Sequence, residues 1–265
     1  DGDLDAQYRL GRSYYYGDDG APQDGERAFE WFSRAAEGGS IAGQHYLGLC
    51  WLRGIGVEKD MARGAEVLAD AAAEGYPPAQ CELGLCYELG HGVEMDKGRA
   101  AELYQEAADQ DYAPAQCNLG YFYYQGIYFE ENNDMAAELF AKSAQQGYPR
   151  AQVLMGECFE NGYGVEKDAA KALELYRAAH EQHYPDGTCA LGLCYEAGMG
   201  VEEDKARAVE LYRQAAEQDY PPAQCNLGFC YYIGIGVAEN GPEAVKWFEK
   251  AAERKYPRAL LLLGE

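Results

Sequence analysis

Nine cysteines are the residues best equipped for chemistry in this 265-residue chain, and they fall into a pattern. Cys81/Cys86, Cys189/Cys194 and Cys225/Cys230 are each five residues apart, and Cys50, Cys117 and Cys158 occupy the same two positions singly. Zinc sites favour cysteines separated by two to four residues on a short loop. Two side chains five apart on one helix diverge by about 140° at about 100° per residue, so they neither share a metal nor close a disulfide. All nine are therefore expected to be free thiols acting as small core residues. That use of cysteine points to a reducing, cytoplasmic compartment rather than to secretion.

The other reactive combinations are weaker. His180-Glu181-Gln182-His183 offers two imidazoles three apart, but it is not the H-E-x-x-H arrangement of a zinc protease. Asp1, Asp3 and Asp5 imitate the start of a calcium loop, yet Ala6 and Arg12 stand where such a loop needs Gly and Glu. The GIGV segments at 54–57 and 234–237 follow helical patterns rather than strands and lack the third glycine of a phosphate loop. Four serines, Ser13, Ser33, Ser40 and Ser143, begin no S-x-x-K. No catalytic, cofactor-binding or metal site is expected. Forty-five acidic residues against 22 basic ones give a net charge of -23, which argues against nucleic acid and anionic membrane as partners. A neutral or basic protein or peptide is the partner that fits. No apolar run approaches the roughly 18 residues of a membrane span. The acidic start lacks the basic and apolar regions of a signal peptide, and without an initial Met the chain reads as an excised piece.

Positioning elements emerge from the glycines, 32 in all. Leu-Gly or Met-Gly recurs at Leu47-Gly48, Leu83-Gly84, Leu119-Gly120, Met155-Gly156, Leu191-Gly192, Leu227-Gly228 and Leu263-Gly264, each step 36 residues; Leu10-Gly11 lies 37 before the first. The spacing divides the chain into repeats of about 6–42, 43–78, 79–114, 115–150, 151–186, 187–222 and 223–258, plus a partial eighth, 259–265. Each repeat reads as two helices. In the third copy the first runs from Ala79 to Leu89 and a Gly90/Gly92 loop follows. Asp96 then caps a second helix whose Ala100, Leu103, Tyr104, Ala107 and Ala108 form an amphipathic stripe. Asp24, Asp60, Asn132, Asp168, Asp204 and Asn240 are its capping equivalents. A glycine inside a helix costs about 1 kcal/mol relative to alanine. Its recurrence implies close helix packing, with Ala100 and Ala107 as the matching small residues. Gly187 is read as making room for His180, which stands where other copies have Ala.

The pattern A-x-x-x-LG-x-x-Y-x-x-G-x-G-V-x-x-D followed by A-x-x-L/W-Y/F-x-x-AA-x-x-x-YP resembles the Sel1-like repeat family, relatives of tetratricopeptide repeats. The resemblance covers essentially the whole chain. It implies an all-α, right-handed α/α solenoid of helix–loop–helix repeats that serves as a non-enzymatic scaffold or adaptor for protein–protein contacts. Cysteine-rich secreted members place a Cys near the end of the second helix, where this chain has Ala107-Ala108. Some members are described as penicillin-binding or β-lactam-cleaving, which makes an enzyme or enzyme subunit of β-lactam or cell-wall hydrolase type the alternative. The fourth copy departs most, with Tyr128 for the second loop glycine and Phe129 for Val.

A solenoid of this kind presents its first helices on a concave face. Core positions there repeat, whereas a stripe spaced i, i+3, i+7 varies: Tyr46, Leu49, Arg53; Glu82, Leu85, Leu89; Asn118, Tyr121, Gln125; Leu154, Glu157, Asn161; Ala190, Leu193, Ala197; Asn226, Phe229, Ile233. A fixed frame with a varied stripe is the expected form of a recognition surface. Tyr46, Tyr121 and Phe229 are expected to be exposed for apolar contact. Asn118 and Asn226 are expected to offer donor and acceptor to a peptide backbone. Leu260, Leu261 and Leu262 precede Leu263, which should cap the seventh repeat; such an edge invites self-association. The thiol assignment has a direct check. Alkylation of the unfolded, unreduced protein should add nine labels by mass, and a lower number would reveal a disulfide.

Overall fold

The computed structural model describes residues 3–264 and contains fifteen α-helices and no strand among them. In order they are α1 Leu4–Tyr16, α2 Gly25–Glu37, α3 Ile41–Arg53, α4 Met61–Ala73, α5 Pro77–Leu89, α6 Lys97–Ala108, α7 Ala113–Gln125, α8 Asn133–Gln145, α9 Pro149–Asn161, α10 Ala169–Glu181, α11 Pro185–Ala197, α12 Lys205–Ala216, α13 Pro221–Ile233, α14 Gly241–Glu253 and α15 Pro257–Leu263. Odd-numbered helices are the first helices of their repeats and even-numbered ones the second. Two compact units divide the chain between Glu131 and Asn132. In the first unit α1 to α7 pack in sequential pairs, and in the second α8 to α15 do the same.

Local chemistry sets these boundaries. All seven second helices begin at the expected Asp or Asn, whose side chain accepts from backbone N–H groups of the first turn. First helices start earlier than Ala79 and its equivalents. Tyr76, extended at φ -77° and ψ 110°, is the N-cap, and Pro77 is the first helical residue. Proline lacks the N–H that a first turn leaves unpaired, so it opens the helix here.

The core is built on one repeated contact. Gly11, Gly48, Gly84, Gly156, Gly192 and Gly228 each lie beneath a large side chain of the following helix. A Cβ on Gly84 would sit 2.8 Å from the Tyr104 ring, on Gly192 2.6 Å from Tyr212, and on Gly228 2.7 Å from Phe248. The glycine therefore makes room for a ring rather than for the small Ala100 and Ala107. Those rings are fully buried, and a buried phenol needs a partner. Tyr104 Oη donates to Glu88 Oε2 at 2.6 Å, Tyr176 to Glu160 at 2.8 Å and Tyr212 to Glu196 at 2.5 Å. Where the second helix carries Phe32, Leu68, Phe140 or Phe248, the partner position holds Tyr15, Leu52, Tyr124 or Tyr232 and never Glu.

Individual repeats adjust this frame by paired changes. Gly187 makes room for Ala179, whose Cβ occupies the space a side chain would need, and not for His180. His180 Nδ1 instead meets Thr188 Oγ1 at 3.0 Å, while His183 adopts a left-handed backbone at φ 58°. Tyr128 retains the left-handed conformation of the glycine it replaces, at φ 65°, and its ring rests against Gly98, where a Cβ would come within 2.9 Å. His45 occupies the position of Cys81, Cys117, Cys189 and Cys225 and is buried with no partner for either ring nitrogen among the described residues. Burial, then the nearby Arg53 charge, lowers its pKa to about 4, so it is neutral. Asp3 caps α1 and Asp5 pairs with Arg9 at 2.7 Å; Asp1 lies outside the described residues.

This packing yields a stability test. Gly192→Ala improves helix propensity but drives a methyl into Tyr212, so thermal or urea unfolding should register a loss of about 1–3 kcal/mol. Gly241→Ala, at a position with open space around it, should leave stability nearly unchanged.

Candidate functional site

First helices lie beside one another within each unit, α5 next to α7 and α11 next to both α9 and α13. This arrangement brings stripe residues together by unit. Arg53, Leu85, Gln125, Asn161 and Ile233 are exposed, and Glu82, Asn118, Tyr121, Glu157 and Asn226 are partly so. Three members depart from expectation. Leu49 is buried at 5% exposure, unlike its exposed equivalents Leu85 and Leu193. Tyr46 stacks on Phe32 at 4.9 Å and meets Tyr8 and Tyr15 edge-on at 5.6 Å, because α1 brings its own rings against α3. Phe229 is half-buried against the last helices, with the Arg258 guanidinium 5.5 Å from its ring centre.

The asparagines also differ from expectation. Asn118 Nδ2 donates to Cys81 Sγ at 3.5 Å and Asn226 Nδ2 to Cys189 Sγ at 3.6 Å, each reaching into the preceding repeat. Asn226 Oδ1 accepts from Arg258 Nη1 at 3.0 Å. An amide beside a buried sulfur takes that acceptor, so these groups join repeats rather than wait for a peptide backbone. At the C-terminal end Leu263 packs on the cluster of Ala244, Phe248, Ala251 and Ala259. Leu261 is 76% exposed and Leu262 38%, and Glu265 lies outside the described residues.

In the second unit the first helices enclose an open groove of about 390 Å³. Glu157, Glu160 and Asn161 come from α9, Asp186, Ala190 and Leu193 from α11, Asn226 from α13 and Arg258 from α15. Three carboxylates thus meet across two helices. Glu160 accepts from the Tyr176 hydroxyl, and Asp186 accepts from Tyr220 Oη at 2.7 Å. Burial, then the charges of Asp186 and Glu160, raises the Glu157 pKa to about 7. Burial and Asp186 push the Cys189 thiol up to about 12, which removes it as a nucleophile at neutral pH. A carboxyl that keeps its proton near neutrality is one half of a hydrolytic acid–base pair. The neighbouring carboxylates Glu160 and Asp186 each already accept from a tyrosine hydroxyl. What the groove presents is negative charge with an apolar shoulder, since Leu193 is 47% exposed.

Glu157 and Asn161 belong to the expected stripe, but Glu160, Asp186, Tyr220 and Arg258 do not. Asp186 and Arg258 sit four residues before the stripe positions 190 and 262, one turn earlier on the same helix face. Extending the stripe by that turn would have included them. Glu160 is signalled by Tyr176, through the Tyr–Glu pairing of the core.

The raised Glu157 pKa makes stability depend on pH. Between the ordinary value of 4.5 and about 7 the folded chain keeps a proton that the unfolded chain releases. Its contribution to stability is therefore greater at the acid end of that window and falls as pH rises through it, while His45, with its lowered pKa, contributes in the opposite sense below 6.5. Glu157→Gln should flatten this part of the stability–pH curve. In a ¹³C carboxyl titration, Asp186→Asn should move the Glu157 midpoint down; an unmoved midpoint would remove Asp186 as a cause.

Seven consecutive segments, 4–40, 41–76, 77–112, 113–148, 149–184, 185–220 and 221–256, match the Sel1 repeat profile. No curated protein matches the chain. Among solved structures, a Sel1 repeat protein from Oxalobacter formigenes is 26% identical with a TM-score of 0.79, the match covering 92% of this chain and 96% of that one. A protective antigen present in uropathogenic Escherichia coli strains is 32% identical with a TM-score of 0.70 over 97% of this chain. The chain spans only 55% of that antigen's length. An immunity protein from Pseudomonas aeruginosa, 16% identical with a TM-score of 0.60 over 82% of each chain, shares the fold. With repeat matches running from residue 4 to residue 256 and helix pairs to correspond, the chain belongs to the Sel1 repeat family.

Proposed function

We propose that this protein is a non-enzymatic adaptor whose second unit holds a basic segment of a partner protein in the first-helix groove. The fold is the one Sel1 repeat proteins use as interaction scaffolds, which supports the general role. The observation that carries the specific reading is Glu157, held protonated near neutrality by burial and by the charges of Asp186 and Glu160. A Lys or Arg side chain entering the groove would favour the ionised carboxylate, and the apolar shoulder at Leu193 would hold a neighbouring aliphatic side chain. The net charge of -23 speeds the approach of such a partner. The cysteines support action in a reducing compartment.

A labelled peptide of alternating Lys and Leu should bind saturably to the full chain, and a Gln/Leu counterpart should not. Affinity should rise with pH towards neutrality, since binding expels the Glu157 proton. Glu157→Gln with Asp186→Asn should weaken binding by about tenfold or more, the scale of a lost hydrogen bond to a charged group. Gln105→Ala, on a second helix, should change nothing. Loss of affinity on second-helix changes with indifference to Glu157 and Asp186 would place the binding face elsewhere. Asn226→Ala is a poor probe, because its amide already joins Cys189 and Arg258.

A further inference from the structure

The first unit carries a surface of opposite chemistry. Arg12 on α1 is exposed, and its guanidinium lies 6.0 Å from the Tyr8 ring centre and 5.7 Å from that of Tyr16. Tyr16 is 53% exposed, and its hydroxyl meets that of Tyr46 at 3.2 Å. Tyr15 joins the same platform, with its ring 4.9 Å from Tyr16 and 5.6 Å from Tyr46. A second guanidinium borders it, since Arg53 donates to Tyr15 Oη at 3.0 Å. Arg53 has a carboxylate within reach, Glu82 at 3.8 Å. Arg12 has none, and enters none of the ion pairs among the described residues.

In a chain with 45 acidic residues, an exposed arginine surrounded only by phenols calls for an explanation. A guanidinium beside aromatic faces is weakly hydrated and held in place, and its planar fork of N–H donors matches a carboxylate bidentately. The surrounding rings offer apolar contact next to that charge. We infer that the Arg12–tyrosine platform is a docking surface for an acidic segment of a partner protein, one in which a carboxylate sits next to an apolar side chain. The inference concerns the first unit alone and stands or falls independently of the groove in the second. The overall charge of -23 opposes the approach of an acidic peptide, so retention rests on the local contacts of Arg12 and the rings.

The test uses the full chain and labelled peptides of alternating Glu and Leu, Gln and Leu, and Lys and Leu, read by fluorescence anisotropy. Saturable binding of the Glu peptide is expected, with the Gln peptide weaker by about tenfold or more. Arg12→Met should abolish the preference for Glu over Gln, and Arg12→Lys, which keeps charge without the fork, should restore part of it. The Glu157→Gln/Asp186→Asn variant should bind the Glu peptide unchanged and lose only the Lys peptide, which separates this surface from the groove. Far-ultraviolet circular dichroism monitors the fold of each variant. Absence of saturable Glu-peptide binding, equal affinity for the Gln peptide, or an unaltered preference in both Arg12 variants would overturn the assignment.

Discussion

The structure depends on placing a large ring over a helix that has no side chain at the point of contact. A glycine in the middle of a helix is unfavourable by about 1 kcal/mol, and the chain repeats that sacrifice in α1, α3, α5, α7, α9, α11 and α13. In return the following helix comes close enough for Tyr104, Tyr176, Tyr212, Phe32, Phe140 or Phe248 to be buried almost completely. Once a tyrosine occupies the seat, its hydroxyl fixes the residue that must face it. Glu88, Glu160 and Glu196 are consequences of a buried phenol rather than surface charges that happen to be nearby. Packing and polar satisfaction are thus one constraint in the three repeats that seat a tyrosine.

The same constraint supplies the candidate groove. Glu160 is held in place by Tyr176, and this anchored carboxylate helps keep Glu157 protonated. A core requirement met at Glu160 therefore creates electrostatic tension at its neighbour Glu157, one turn earlier on the same helix. The two units differ in how they use the stripe. The second unit collects carboxylates there, whereas the first covers α3 with the tyrosines of α1 and leaves arginines at the border.

Much of this was legible in the sequence because it repeats. The 36-residue period, the helix pair, all seven Asp or Asn caps and the packing role of the glycines follow from positions that recur in register. Accessibility on the stripe was less legible, since it depends on what each neighbour brings. Tyr46 and Phe229 occupy stripe positions yet are partly covered by α1 and by Arg258, residues that no repeat pattern marks as covering groups. The asparagines misled for a related reason. Asn118 and Asn226 look like free amides until the sulfur of the preceding repeat is placed beside them. The Tyr–Glu pairing was readable, because three tyrosines and three glutamates switch on and off together. Finding it requires comparing two positions across copies rather than reading one at a time.

Tyr128 and Gly98 carry a consequence for how such a chain finds its own order. Copies that look alike can dock in the wrong sequence, and a displacement by one whole repeat would preserve nearly every glycine, cap and ring described above. The bulky Tyr128 loop fits against Gly98. At the positions equivalent to Gly98, the other repeats have Glu26, Ala62, Asp134, Ala170, Ala206 or Pro242. The fourth repeat therefore fits most closely after the third, since any larger residue at that position would press on the Tyr128 ring. One exchange of a small residue for a large one, with its complement 30 residues earlier, acts as an address label that distinguishes correct assembly from its near-copies.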